Sequence, residues 1–219
     1  MKKLNKVERP LLTAVPQHKK MTKEEFLKVY HEGMLVIDTR NKVEFAKGYL
    51  PHSLNIQGNN SFANWMGWVL SYDVSFVLIA EESAMEDITR KLMRIGLDNI
   101  FGFIDSVTDL GIELQTADVI ELEQFEAIIQ EDNVQVVDVR NEKEFVAGHI
   151  EGATHAFVGT LISNLDKLDK SKDIVIHCQA GDRSTIAYSI LKKYGFDSVR
   201  NYAGGMKEWV ANNINYIRL

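Results

Sequence analysis

The sequence predicts an α/β fold: two short, mostly parallel sheets, each with helices on both faces. Three observations carry this. Short apolar runs of four to six residues barely alternate, as strands buried on both faces do. Amphipathic segments of helical spacing lie between them. The whole series occurs twice, at an offset of about one hundred residues. Val36-Ile37-Asp38-Thr39-Arg40-Asn41 returns as Val136-Val137-Asp138-Val139-Arg140-Asn141, and Glu44-Phe45 as Glu144-Phe145. Gly48-Tyr49-Leu50 matches Gly148-His149-Ile150, and Gly96-Leu97-Asp98 matches Gly195-Phe196-Asp197.

In chain order, residues 1–20, with Pro10 and Pro16, read as an irregular lead-in. Its basic residues (Lys2, Lys3, Lys6, Arg9, Lys19, Lys20) read as a solvated tether, an acidic surface being the other reading. Thr22 and Glu25 have the spacing of a capping box and open a helix. Strands are expected at 34–37, 76–80 and 100–104, and a helix over 85–95. The apolar pattern lapses at 114–118, which sets the domains at 21–115 and 116–219. The second copy has strands at 134–139, 174–177 and 199–202 and a helix over 185–194. Phe62, Trp65 and Trp68 form a stripe on a helix, read as core or interface.

Composition bounds the function. Of 219 residues 45% are hydrophobic and 26% charged, as in ordinary globular chains. The net charge of −6 argues against a general nucleic-acid binder. No apolar stretch is long enough to span a membrane. Met1-Lys2-Lys3 is not followed by the uninterrupted apolar core of a signal peptide. One cysteine allows no internal disulfide, so a reducing, cytoplasmic setting is expected. His18, His31, His52, His149, His155 and His177 include no paired metal motif, and no metal or cofactor is expected.

That cysteine, Cys178, carries the chemistry. It follows the apolar run 174–177 and heads the loop Cys178-Gln179-Ala180-Gly181-Asp182-Arg183-Ser184, with a helix after it. A thiol between a strand end and a helix start faces unpaired N–H groups and the positive end of a helix dipole. That setting favours the thiolate and binds anions. The alternative is a buried structural thiol. Asp138 and Arg140 read as structural, Asp138 accepting loop N–H groups and Arg140 pairing with Glu144 or another carboxylate. A direct substrate contact by Arg140 is the second reading. His149 and His177 read as packed histidines.

The second copy resembles the rhodanese family of sulfurtransferases. The resemblance rests on Asp138-Val139-Arg140, on Glu144-Phe145 with Gly148-His149-Ile150-Glu151-Gly152-Ala153, on the Cys178–Ser184 loop, and on Tyr202-Ala203-Gly204-Gly205-Met206 with Trp209. It implies two rhodanese-like domains, the second catalytic. The first copy has Ala80, or Ile79 with a one-residue gap, where the nucleophile belongs, and its acidic loop Glu81-Glu82-Ser83-Ala84-Met85-Glu86 marks it as non-catalytic. Residues 5–12 (Asn5-Lys6-Val7-Glu8-Arg9-Pro10-Leu11-Leu12), with 57–63, are similar to the C-terminal half of bacterial fusions of a metallo-β-lactamase-fold persulfide dioxygenase to a rhodanese tandem. The chain is thus expected to be a fragment of such a fusion or a stand-alone relative, active in sulfide and persulfide metabolism.

The resemblance implies double displacement. Cys178 takes a sulfane sulfur from thiosulfate or a small persulfide, and a thiophile removes it. The loop N–H groups of Gln179, Ala180, Gly181, Asp182, Arg183 and Ser184 are expected to surround the sulfur, Gly181 supplying the unusual φ and Arg183 a fork of donors. Asp182 partly cancels Arg183 and favours a persulfide donor. Protein tyrosine phosphatases share a His-Cys pair and a closing Arg, but with a loop one residue longer; the four residues between Cys178 and Arg183 suit a single sulfur better. Expected partners are the sulfur donor, a thiol acceptor, a persulfide dioxygenase and a second copy of the chain, with no nucleic acid or membrane. The other class of function is a sulfur-accepting or docking module with little turnover of its own.

Overall fold

A computed structural model describes residues 14–212, 214, 216 and 217. The expectations for residues 1–13, including the motif at 5–12, lie outside these. The chain divides into two compact units. The first holds residues 14–40 and Ile56–Glu113, the second Asn41–Asn55 and 114–217. Segment 41–55, which the repeat assigns to the first domain, therefore counts with the second unit.

Helix α1 (Lys23–His31) opens on the expected box, Thr22 accepting from the Glu25 amide and Glu25 from the Thr22 amide. Strand β1 (Leu35–Asp38) follows. The second unit's early segment carries α2 (Lys42–Lys47) and β2 (Leu54–Asn55). The first unit continues with α3 (Phe62–Val69), β3 (Phe76–Ile79), α4 (Met85–Ile95) and β4 (Ile100–Ile104). In the first unit β1, β3 and β4 run parallel in that order, and all four β3 residues are buried. Glycine ends α4: Gly96 takes φ +75°, a left-handed cap that a side chain would strain. The Phe62–Trp65–Trp68 stripe divides. Phe62 and Met66 are buried, whereas Trp68 is 55% exposed, because residues four apart lie closer to one face than residues six apart. Lys20 is solvent-exposed and forms surface ion pairs with Asp105 at 2.5 Å and Glu82 at 3.2 Å.

In the second unit come β5 (Val119–Ile120), α5 (Leu122–Ile128), β6 (Val134–Asp138), α6 (Glu142–Ala147) and β7 (Thr154–His155). A 3₁₀ stretch (Val158–Lys167) leads to β8 (Asp173–His177), α7 (Asp182–Lys193), β9 (Val199–Tyr202) and α8 (Gly205–Ala211). The five strands are parallel, in the order β5-β9-β8-β6-β7. Ile174, Val175 and Ile176 of the central β8 are at most 1% exposed. This explains the run without alternation: a strand between two helical layers has no wet face. On one side Phe125 stacks on Tyr202 (4.3 Å) and meets Trp209 edge-on (5.3 Å). Among the described residues no helix is long and apolar enough to cross a membrane.

Candidate active site

Parallel sheets gather loops at the carboxyl ends of their strands. Cys178 is the residue after β8, and Asp138 is the last of the neighbouring β6, paired in register with His177. The first unit repeats the register: Asp38 pairs with Ile79. Ala80, not Ile79, therefore stands where Cys178 does.

Cys178 is a free thiol, 1% exposed. Its Sγ accepts the Gly181 N–H at 3.1 Å. The expected ring of amides is reduced: among the described residues, the amide on Sγ is that of Gly181. The reason lies in the start of α7. Gly181 takes φ +91°, which turns its N–H back to the sulfur and its carbonyl into the helix. There the carbonyl accepts the Thr185 amide (3.0 Å) and the Thr185 and Ser184 hydroxyls (2.8 and 3.1 Å). Ser184 is therefore buried as a brace of the loop. Gln179, Ala180 and Asp182 form the exposed rim. Behind the loop the Met206 and Lys207 amides hold the Cys178 and Gln179 carbonyls at 2.9 and 3.0 Å.

Both cations at the loop carry a carboxylate. Arg183 is bound by Glu144 through two contacts of 2.5 and 2.7 Å, so its fork is not left open as the sequence suggested. Its hydrogen bonds hold the Glu144 carboxyl below the usual carboxylate range, and Glu144 raises Arg183 in turn. Glu144 also closes the capping box of α6 with Asn141, which joins helix start and loop. Asp182 does not offset Arg183; it pairs with Lys42 at 2.9 Å. Lys42 is the member of the site that sequence reasoning missed. Glu144 it read as a partner of Arg140, whereas the fold gives it to Arg183.

Arg140 pairs with the Asp138 carboxylate. It is 4% exposed, with its guanidinium on both Asp138 oxygens (2.6–3.0 Å) and on the Gly148 carbonyl (2.7 Å). Of the two pairings the sequence offered, it takes another carboxylate and not Glu144, which Arg183 holds. Burial works to raise the Asp138 carboxyl, but the Arg140 hydrogen bonds overcome it and hold the group below its ordinary value. His149 stacks on Phe145 at 3.9 Å and bonds its carbonyl at 2.9 Å. His177, wholly buried, has its Nε2 3.9 Å from Asp138 and without a hydrogen bond.

Burial pushes His177 below its ordinary 6.5, against the pull of Asp138. Between its folded value and 6.5 the unfolded chain binds the extra proton, so stability falls as pH drops through that window. Asp138 and Glu144 lose their contributions lower, as pH passes below their ordinary 3.8 and 4.5 towards their depressed folded values. Urea titrations from pH 7.5 to 4 should show loss beginning near pH 6.5, His177 adding a slope of at most about 1.4 kcal/mol per pH unit beside that of His18, which burial also lowers. His177→Gln should flatten the pH 5–6.5 portion; an unchanged slope there would remove His177 as its source.

Comparison with known proteins agrees with this geometry. Residues 121–212 match the Rhodanese-like domain. YtwF of Bacillus subtilis (strain 168), named as a sulfurtransferase, is 34% identical over 84 residues, 38% of this chain and 81% of that protein. YrkF of the same organism, named as a sulfur carrier protein, is 25% identical over 80% of this chain and 89% of its own length. The human single-domain sulfurtransferase TSTD1 is 28% identical over 43% of this chain and 96% of its own, with a TM-score of 0.39. On the domain match and the likeness to YtwF, the chain belongs to the rhodanese-like family.

Proposed function

We propose that the chain is a sulfurtransferase working through a Cys178 persulfide, in sulfide and persulfide metabolism. The reading rests on Cys178 Sγ seated at the head of its loop with the Gly181 N–H upon it. The relatives named for sulfur transfer and sulfur carriage support it. The thiolate attacks the outer sulfur of the donor; a new S–S bond forms as the donor's own bond to that sulfur breaks. Thiosulfate leaves as sulfite, and a persulfide R–S–SH leaves as the thiolate R–S⁻. A thiophile then attacks the outer sulfur and restores the Cys178 thiolate. The Gly181 amide and the dipole of α7 stabilise the anionic sulfur throughout. Arg183 and Lys42 each bear a carboxylate partner, which favours a persulfide over dianionic thiosulfate.

In this reading the first unit is a non-catalytic rhodanese-like domain of a tandem, with Ala80 at the nucleophile position. A persulfide dioxygenase is the partner that would supply or receive such sulfur, in the cytoplasm. A second reading, a sulfur-accepting or docking module, draws on the 1% exposure of Cys178. Intact-protein mass spectrometry after incubation with thiosulfate or glutathione persulfide tests the function. One sulfur atom should be gained on Cys178 and released by added thiol. No gain from either donor would overturn the proposal, and loading without multiple turnover would select the docking module.

A further inference from the structure

We infer that Lys42 is a positioning residue for the sulfur site and acts through the Ala180–Gly181 peptide; the inference rests on the sulfur-transfer reading. Lys42 lies outside the matched domain, in the 41–55 segment of the second unit. It is the first residue of α2, whose start is fixed by Asn41 accepting the Val43 and Glu44 amides at 3.0 Å. From there its Nζ reaches the Ala180 carbonyl at 2.5 Å and Asp182 Oδ1 at 2.9 Å.

The carbonyl that Lys42 holds and the N–H that Sγ holds belong to one peptide unit. A trans peptide is planar, with its C=O and N–H pointing in opposite directions. Fixing the Ala180 oxygen outward on an ammonium therefore fixes the Gly181 hydrogen inward on the sulfur. The constraint has work to do here, because Gly181 has no side chain to oppose rotation of that peptide and sits at φ +91°. Rotation by half a turn would aim a carbonyl lone pair at the thiolate instead. The ammonium also polarises the amide, which strengthens its other hydrogen bond. The second copy has Glu142 after its Asn141, where the first has Lys42 after Asn41, so the duplicated pattern reverses charge at this position.

Lys42→Met keeps the stem and removes the donor. Single-turnover sulfur transfer to Cys178 should slow about 10-fold, the lower range for groups that orient a ligand through another. The KM for the donor should stay within about 2-fold, since the lost contact is to the backbone. In ¹⁵N–¹H spectra the Gly181 amide proton should move upfield as its bond to sulfur weakens. Lys42→Arg should restore both rate and signal. A wild-type rate with an unmoved Gly181 signal in Lys42→Met overturns the inference. Should Lys42→Met fail to fold, Lys42→Gln, a neutral donor, carries the same readouts: a displaced signal with a slower rate supports the inference, and neither change overturns it. A wild-type protein that takes up no sulfur overturns the proposed function instead, while the Gly181 signal still tests the contact.

Discussion

Cys178→Ser is expected to lose sulfur loading altogether and to cut turnover by at least about 10³-fold, to the background of donor and acceptor alone. An alcohol stays protonated at neutral pH and gives no stable S–S linkage, so both halves of the transfer vanish together. Residual binding by the rim cannot compensate, because in the proposed double displacement the sulfur is carried covalently between donor and acceptor. The change is nearly isosteric. At a 1% exposed position it should cost about 1 kcal/mol of stability, with the hydroxyl able to accept the Gly181 amide in place of Sγ. Unfolding in urea should therefore resemble wild type while the intact mass stays unchanged after donor treatment. A Cys178→Ser protein that still gains a sulfur atom would place the nucleophile elsewhere.

Gly205→Ala should have the largest effect on stability. Gly205 opens α8 at φ +60°, and a Cβ there would lie 2.4 Å from the Cys178 carbonyl oxygen and 2.9 Å from the Gln179 carbonyl. Those carbonyls are the ones bound by the Met206 and Lys207 amides, so the helix cannot retreat without releasing the Cys178 loop. Backbone strain of about 1–3 kcal/mol and overpacking of about 1–3 kcal/mol together predict a loss of roughly 2–6 kcal/mol. Gly152→Ala is the control. Gly152 has a similar φ of +75° but open space around its missing Cβ, so it should show the strain alone. Urea unfolding of the two variants separates the contributions; equal losses would refute the steric one.

Much of both units was legible in the sequence because the physics is local. A central strand buried on both faces must be apolar throughout, and 174–177 is the core of β8. A capping box needs Thr22 and Glu25 at fixed spacing, and it forms. The strand-to-helix thiol follows from order alone. What was not legible depends on partners far along the chain. Arg183 reads as an open fork until the fold brings Glu144, 39 residues earlier, onto it. Arg140 reads as a partner of Glu144 or another carboxylate, and only the fold shows that the partners are Asp138 and the Gly148 carbonyl. Lys42 stands 138 residues from Ala180, and no periodicity or motif links them. The reduced amide ring also escaped notice, because a loop's composition shows that donors exist but not which way each peptide faces.

The strand order has a consequence for synthesis. β5, the first strand after the break at Leu114, pairs with β9, which closes on Tyr202. A nascent chain therefore cannot complete this sheet while Val199–Tyr202 is still within the ribosome. Until then the apolar β8 lacks a neighbour on one side, and its unpaired edge is open to pairing with another chain.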